Sequence, residues 1–241
     1  MTVNFNVSAV LSMKIGGLQK VSLIDYPGRI SAVLFTQGCN FRCPYCHNPE
    51  LVDPALYGET LSEREILDFL DRRRGKLDAV TLSGGEPTLQ PDLLTFAGRL
   101  REYGYLIKVD TNGSRPDVLE QLIVAGLVDY LALDIKGPLG EYQRIANSDI
   151  AAETIRRSIA LIMASGVEYE FRTTVVKSLL KDGDIAGIAR LIKPSRRLVL
   201  QAFVPSKALD RRFLEEAPFP RDELEKIRQD IKKDIPCVLI R

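Results

Sequence analysis

Three cysteines fall at Cys39, Cys43 and Cys46, in the run Cys-Asn-Phe-Arg-Cys-Pro-Tyr-Cys. Such spacing gathers three thiolates around one small volume, and thiolates are the soft ligands that iron–sulfur clusters and zinc both accept. With only three offered locally, a four-iron cluster held here keeps one iron without a protein ligand, the open position a substrate needs. The competing reading is a zinc site completed by His47, the single histidine of the chain. Adjacency counts against it, because the side chains of Cys46 and His47 would have to turn onto one tetrahedral ion. Cys237 stands apart among apolar neighbours and reads as a core thiol.

A second signal is Ser83-Gly-Gly-Glu-Pro87. Gly84 and Gly85 let backbone groups approach a ligand closely, and Glu86 could orient a ligand's ammonium group. A tight turn with a solvated acid is the plain alternative. Polar groups recur at Asp110-Thr-Asn-Gly113, at Asp134-Ile-Lys136, at Arg172 and in the turn Gln201-Ala-Phe-Val-Pro205. Taken singly, each is equally a turn or a solvated charge, and Arg172 a salt bridge at the edge of the core.

The elements that must position these residues follow from hydrophobic periodicity. Short apolar, β-branched runs predict strands at Ser31–Thr36, Ala79–Ser83, Leu106–Asp110, Tyr130–Asp134, Tyr169–Val176 and Leu198–Val204. None alternates cleanly with polar residues, as expected when both faces of a parallel sheet are covered. Between them, Ser62-Glu-Arg-Glu65 reads as a capping box for a helix burying Ile66, Phe69 and Leu70. Further helices carry Leu93, Phe96, Ala97 and Leu100 up to Gly104, and Leu119, Leu122 and Ile123 from Pro116 to Gly126. Two more carry Ile155, Ile159 and Ile162 up to Gly166, and Ile185, Ile188 and Ile192 up to Pro194. A last amphipathic helix over Arg221–Ile235 precedes a short strand at Cys237–Ile240.

This strand–helix rhythm is α/β with a mostly parallel sheet. A complete eight-unit barrel needs about 250 residues, whereas six units here are finished by Val204. The expectation is therefore a partial, splayed (β/α)6 barrel with small N- and C-terminal additions. The polar motifs named above, apart from Arg172 within its strand, then stand at the C-terminal ends of strands, where this architecture places its chemistry. Residues 13–241 read as one domain and residues 1–12 as a loose extension before the patterned chain.

The chain has 241 residues, enough for one sizeable core, and a formal net charge of +1. So balanced a charge gives no global field to attract nucleic acid or anionic lipid. No run approaches the roughly 20 apolar residues of a membrane span. Four cysteines, three of them clustered, do not make a disulfide framework and point to a reducing cytoplasm. The run Asp71-Arg-Arg-Arg-Gly-Lys76 could steer an acidic partner but reads first as a solvated helix end.

The cysteine run followed by Ser-Gly-Gly-Glu-Pro, in this order and separation, resembles the radical S-adenosylmethionine superfamily. The resemblance implies one 4Fe-4S cluster on Cys39, Cys43 and Cys46, whose free iron chelates the amino and carboxylate groups of S-adenosylmethionine. It implies Tyr45 against the adenine, and Gly84, Gly85 and Glu86 as a cofactor clamp. The strand ends at Asp110, Asn112 and Asp134 resemble those of glycyl-radical-enzyme activating proteins. There such residues bind the cofactor and a monovalent cation, here implied at Asp110, Thr111 and Asp134. By the same likeness Lys136 approaches the substrate as a catalytic group, Arg172 meets the cofactor's carboxylate, and Phe203 or Val204 supports the adenine. Lys14-Ile-Gly-Gly-Leu-Gln-Lys-Val-Ser-Leu-Ile-Asp-Tyr-Pro-Gly28 and His47-Asn-Pro-Glu50 resemble activating proteins of anaerobic ribonucleoside-triphosphate reductase, near pyruvate formate-lyase activators. The implied reaction is removal of a glycine Cα hydrogen from a partner glycyl radical enzyme, with ferredoxin or flavodoxin as electron donor. The alternative is a radical enzyme acting on a small molecule such as a deazapurine or nucleoside precursor.

Overall fold

The computed structural model describes residues 13–181 and 183–241, so the extension expected over residues 1–12 lies outside the described residues. Eight strands form one sheet in sequence order. They are β1 (Ile15–Ser22), β2 (Ser31–Thr36), β3 (Ala79–Gly84), β4 (Leu106–Thr111), β5 (Tyr130–Asp134), β6 (Glu168–Val175), β7 (Arg197–Ala202) and β8 (Cys237–Ile240). From β2 to β8 every neighbour is parallel, and only β1 runs antiparallel, against β2. Among the described residues β8 and β1 do not pair, so the sheet curls without closing: a partial barrel.

The helices are α1 (Pro49–Val52), α2 (Glu63–Asp71), α3 (Leu93–Glu102), α4 (Pro116–Val124), α5 (Tyr142–Ala146), α6 (Ala152–Ala164), α7 (Asp184–Leu191) and α8 (Arg221–Ile231); α1 and α5 adjoin the loop after β2, and the others cover the outer face of the sheet. The apolar stripes read from the sequence are the ones buried: Leu93, Phe96, Ala97 and Leu100 on α3, and Ile155, Ile159 and Ile162 on α6. They pack on the outward residues of the strands, such as Leu82, Val109, Leu131, Leu133 and Phe171, in one continuous core. None of these helices is long and apolar enough to cross a membrane.

Three local expectations change. Ser62 stands at the N-cap of α2, but its hydroxyl makes no capping hydrogen bond. The first-turn carboxylates Glu63 and Glu65 complement the helix dipole instead, and Glu63 also pairs with Arg99 at 2.6 Å. The last helix ends at Ile231, short of Ile235, although both residues are buried. Strand β1 was not among the expected strands, because Gly16-Gly17 lowers its strand propensity. Its Gly16 packs closely under α1: a Cβ there would lie 2.6 Å from Leu51 Cδ2. The short helices α1 and α5 are less than two turns long, too short to leave a periodic signature.

Parallel register brings the strand exits level. Thr36 pairs with Gly84 across β2 and β3, Thr111 with Leu133 across β4 and β5, and Asp134 with Arg172 across β5 and β6. The turn after β3 is welded to the chain leaving β2: Gly85 N donates to Thr36 O at 2.8 Å, and Glu86 N to Gly38 O at 2.8 Å. A Cβ on Gly85 would fall 2.1 Å from the Gly38 carbonyl oxygen. A Cβ on Gly84, whose φ is +109, would fall 2.4 Å from Thr36 N. The glycine pair therefore admits another stretch of protein backbone. Gly85→Ala is expected to lower the stability of the cluster-free protein by about 1–3 kcal/mol, read from urea unfolding, whereas Gly98→Ala, with open space around it, leaves the midpoint unchanged or raised.

Candidate active site

The cysteine loop leaves β2 at Thr36, and its entry is fixed by Gln37 N donating to Lys14 O and Gly38 N to Leu51 O. Arg42 braces it from within, its Nη1 donating to Cys39 O at 2.6 Å and Phe41 O at 2.9 Å. From outside, Arg42 N donates to Ala146 O, and Asp210 N to Pro44 O. Asn112, on the loop after β4, donates to Asn40 Oδ1 at 3.0 Å and to Cys39 Sγ at 3.7 Å, and the Ser114 hydroxyl donates to Asn40 Oδ1. Cys39, Cys43 and Cys46 line one cavity of about 280 Å³ at the C-terminal ends of the strands. Burial, helped by the charge of Glu86, pushes the Cys39 thiol up to about 12, and burial pushes Cys43 to about 11 and raises Cys46. Such thiols stay protonated at neutral pH unless a cationic centre replaces the proton.

That donor set fits an iron–sulfur cluster: three soft ligands from one loop, each needing positive charge beside it. His47 does not complete a zinc site, since its ring lies on Phe203, centroids 5.1 Å apart. Among the described residues no three His, Cys, Asp or Glu side chains converge on a single metal ion. Tyr45 also lines the cavity, its buried hydroxyl beside the Cys43 thiol.

Glu86 is 0% exposed, so the solvated-acid reading fails. Its carboxylate accepts from Thr88 N at 3.0 Å and Thr88 Oγ1 at 2.5 Å, from Thr111 Oγ1 at 2.8 Å and from Asn112 N at 2.6 Å. Burial raises its pKa against these hydrogen bonds. Within the cavity wall it acts as a tie between the exits of β3 and β4.

Across the cavity from the cysteines runs a chain of alternating charge. The Lys108 ammonium donates to Asp110 Oδ1, and Asp110 Oδ2 accepts from Ser83 Oγ and Arg172 Nη1, each at 3.1 Å. Arg172 Nε donates to Asp134 Oδ1 at 2.7 Å, and Asp134 Oδ2 accepts from Lys136 Nζ at 3.3 Å. Burial would raise both carboxylates, but Arg172 with Lys108 holds Asp110 down, and Arg172 with Lys136 holds Asp134 well below the usual range. Burial likewise opposes the charge of Lys136, yet Asp134 keeps it well above the ordinary lysine value.

The cavity brings together Tyr45, Gly84, Gly85, Glu86, Asp110, Thr111, Asn112, Asp134, Lys136 and Arg172 with the three cysteines. Phe203 is not on its wall: it is buried beneath Tyr45, His47 and Phe213, while Val204 is 56% exposed. Thr174 and Gln201 face the cavity there instead. The monovalent-cation reading of Asp110, Thr111 and Asp134 also meets a different arrangement. All four carboxylate oxygens already accept from side chains, and the Thr111 hydroxyl donates to Glu86 and accepts from Gly113 N. A bare ion here would meet a cationic donor on every carboxylate oxygen. Asn40, Ser114 and Lys108 were not anticipated. Lys108 was legible, as a charge two residues before Asp110 and so on the same face of the strand. Cys237 lies on β8, away from this wall, and the basic run after α2 adjoins the start of β3, at the other end of the strands.

An open barrel with thiols and charged groups gathered at its strand exits defines an enzyme of the radical type, and likeness to known proteins agrees. The family model described as the radical SAM superfamily matches residues 33–192. A Methanocaldococcus jannaschii protein described as a glycyl-radical enzyme activating enzyme is 37% identical, over 94% of this chain and 95% of its own. The pyruvate formate-lyase-activating enzyme of Streptococcus mutans is 34% identical over 70% and 68%. QueE from Escherichia coli, at 14% identity, shares the fold over 95% of this chain and 93% of that chain, with a TM-score of 0.56. The chain belongs to the radical SAM superfamily, in its glycyl-radical enzyme activating branch.

The charge chain has a pH signature. Asp110 and Asp134 are held below their unfolded values, so their contribution to stability is present above about pH 4 and is lost as the pH falls through the folded values. Arg172→Met is expected to cost about 3 kcal/mol near pH 7. In urea unfolding of cluster-free protein, the gap from the unsubstituted chain narrows as the pH falls below about 4.

Proposed function

We propose that this enzyme removes a Cα hydrogen from a backbone glycine of a large partner, most readily anaerobic ribonucleoside-triphosphate reductase. The supporting observation is convergence: three thiols from one loop face charged groups from the ends of β3 to β6 across one cavity. The choice of partner rests on the resemblance of Lys14–Gly28 and His47–Glu50, and on likeness to an activating enzyme along nearly its whole length. When bound, the cluster supplies one electron that cleaves the carbon–sulfur bond of S-adenosylmethionine, releasing methionine and a 5′-deoxyadenosyl radical that takes the hydrogen.

The residues of the chain then have distinct tasks. Cys39, Cys43 and Cys46 hold the cluster and leave one iron open. Arg172 uses Nε and Nη1 on the protein's carboxylates, and its remaining donor, Nη2, is the one we assign to the ligand carboxylate. Tyr45 lends its ring to the adenine. Gly84 and Gly85 act on the cofactor through the backbone they bring close. Lys136, only 16% exposed and fixed by Asp134, presents its ammonium to the substrate side of the cavity. Enclosure by these groups keeps water and stray hydrogen donors from a primary carbon radical. Ferredoxin or flavodoxin is the proposed donor, approaching the end of the barrel that carries the cysteines, and the cytoplasm the proposed compartment.

The test is anaerobic reconstitution with S-adenosylmethionine, a reductant and the candidate reductase, followed by electron paramagnetic resonance. A glycyl radical signal on the reductase is expected. Its absence, with 5′-deoxyadenosine formed only when a small heterocycle is supplied, would sink the assignment. Replacing any one of Cys39, Cys43 or Cys46 by Ala is expected to abolish S-adenosylmethionine cleavage, whereas Cys237→Ala retains about four irons per chain by metal analysis.

A further inference from the structure

The inward face of β4 carries two ionisable side chains in succession, Lys108 and Asp110. Lys108 is 1% exposed, and its ammonium lies 5.8 Å from the centre of the Tyr130 ring. So deep an ammonium is strongly disfavoured unless a negative charge answers it, and Asp110 is its only ion-pair partner among the described residues. The neighbour across the sheet, Thr81, offers a buried hydroxyl that makes no hydrogen bond. An ammonium thus lies behind the wall of the cavity, on the carboxylate that also meets Arg172.

The same carboxylate is one of the groups at which family resemblance implies a dissociable monovalent cation. Three cationic side chains, Lys108, Arg172 and Lys136, already share the four oxygens of Asp110 and Asp134. A bare ion needs several oxygens with free lone pairs, and would have to share these oxygens with those donors.

We propose that the Lys108 ammonium is a tethered cation standing in for the monovalent ion, so that this chain orders the cofactor-binding ends of β4 and β5 without one. This rests on reading the cavity as the S-adenosylmethionine site. A cation on the side chain is present at every ionic composition, so cofactor affinity follows the general screening of charge and not the identity of the salt.

Equilibrium dialysis with radioactive rubidium and sodium tests this directly. It uses anaerobically reconstituted protein, with and without S-adenosylmethionine, in a choline chloride background. The unsubstituted chain is expected to retain neither ion specifically. Lys108→Met, which keeps the volume and removes the charge, is expected to hold one ion per chain, competed by unlabelled potassium or sodium. Lys108→Arg is expected to exclude both. Stoichiometric ion binding by the unsubstituted chain, or exclusion by a folded Lys108→Met protein, overturns the proposal. Should Lys108→Met fail to fold by circular dichroism, dialysis of the unsubstituted chain decides alone. Because the readout is bound ion, failure to generate a glycyl radical would count against the proposed function and leave this result standing.

Discussion

The carboxylate of Glu86 has no exposed surface and accepts four hydrogen bonds, two from Thr88 in its own turn and two from the exit of β4. Removing a carboxylate from water is costly, and hydrogen bonds to an ionised acceptor are among the stronger ones available to offset it. Cooperation with backbone contact makes this the anchor of the site. Glu86 N reaches back to Gly38 O, two bonds from the first cysteine's residue, while the Asn112 that donates its N–H to Glu86 also holds Asn40 by its side chain. The cysteine loop is thereby referenced to β3 and β4, and its own irregular backbone inherits the rigidity of the sheet.

On the other wall, charge takes over from backbone contact. Lysine, aspartate, arginine, aspartate and lysine alternate across β4, β5 and β6, each carboxylate flanked by cations. None of these groups would be tolerated alone at this depth, and together they satisfy one another. Parallel register makes the alternation possible, since Asp134 and Arg172 are direct neighbours across the sheet and Lys108 and Asp110 share one face of β4. The result is a wall of fixed dipoles and charges opposite three thiols that burial keeps from ionising on their own. Such preorganisation costs no rearrangement when a charged ligand arrives.

What the sequence alone determined was the plan: α/β, six parallel strand–helix units, and a thiolate triad directly after the first of them. Apolar periodicity is local and survives any packing, so the buried stripes of α3 and α6 were legible, as was the placement of each polar motif at a strand end. Cysteine spacing is equally local. Strand β1 escaped because its pairing rests on a neighbour's shape, and the unformed cap of Ser62 because a cap depends on rotamer geometry the motif does not encode. Only the tertiary structure decided which polar groups would meet. It turned Glu86 from a solvated acid into a buried tie, moved Phe203 beneath the cavity wall, and set Lys108, Arg172 and Lys136 against the carboxylates of Asp110 and Asp134. Those outcomes depend on register and curvature of the sheet, which bring residues as far apart in the chain as Cys39 and Gln201 to one cavity, and no local pattern records that distance.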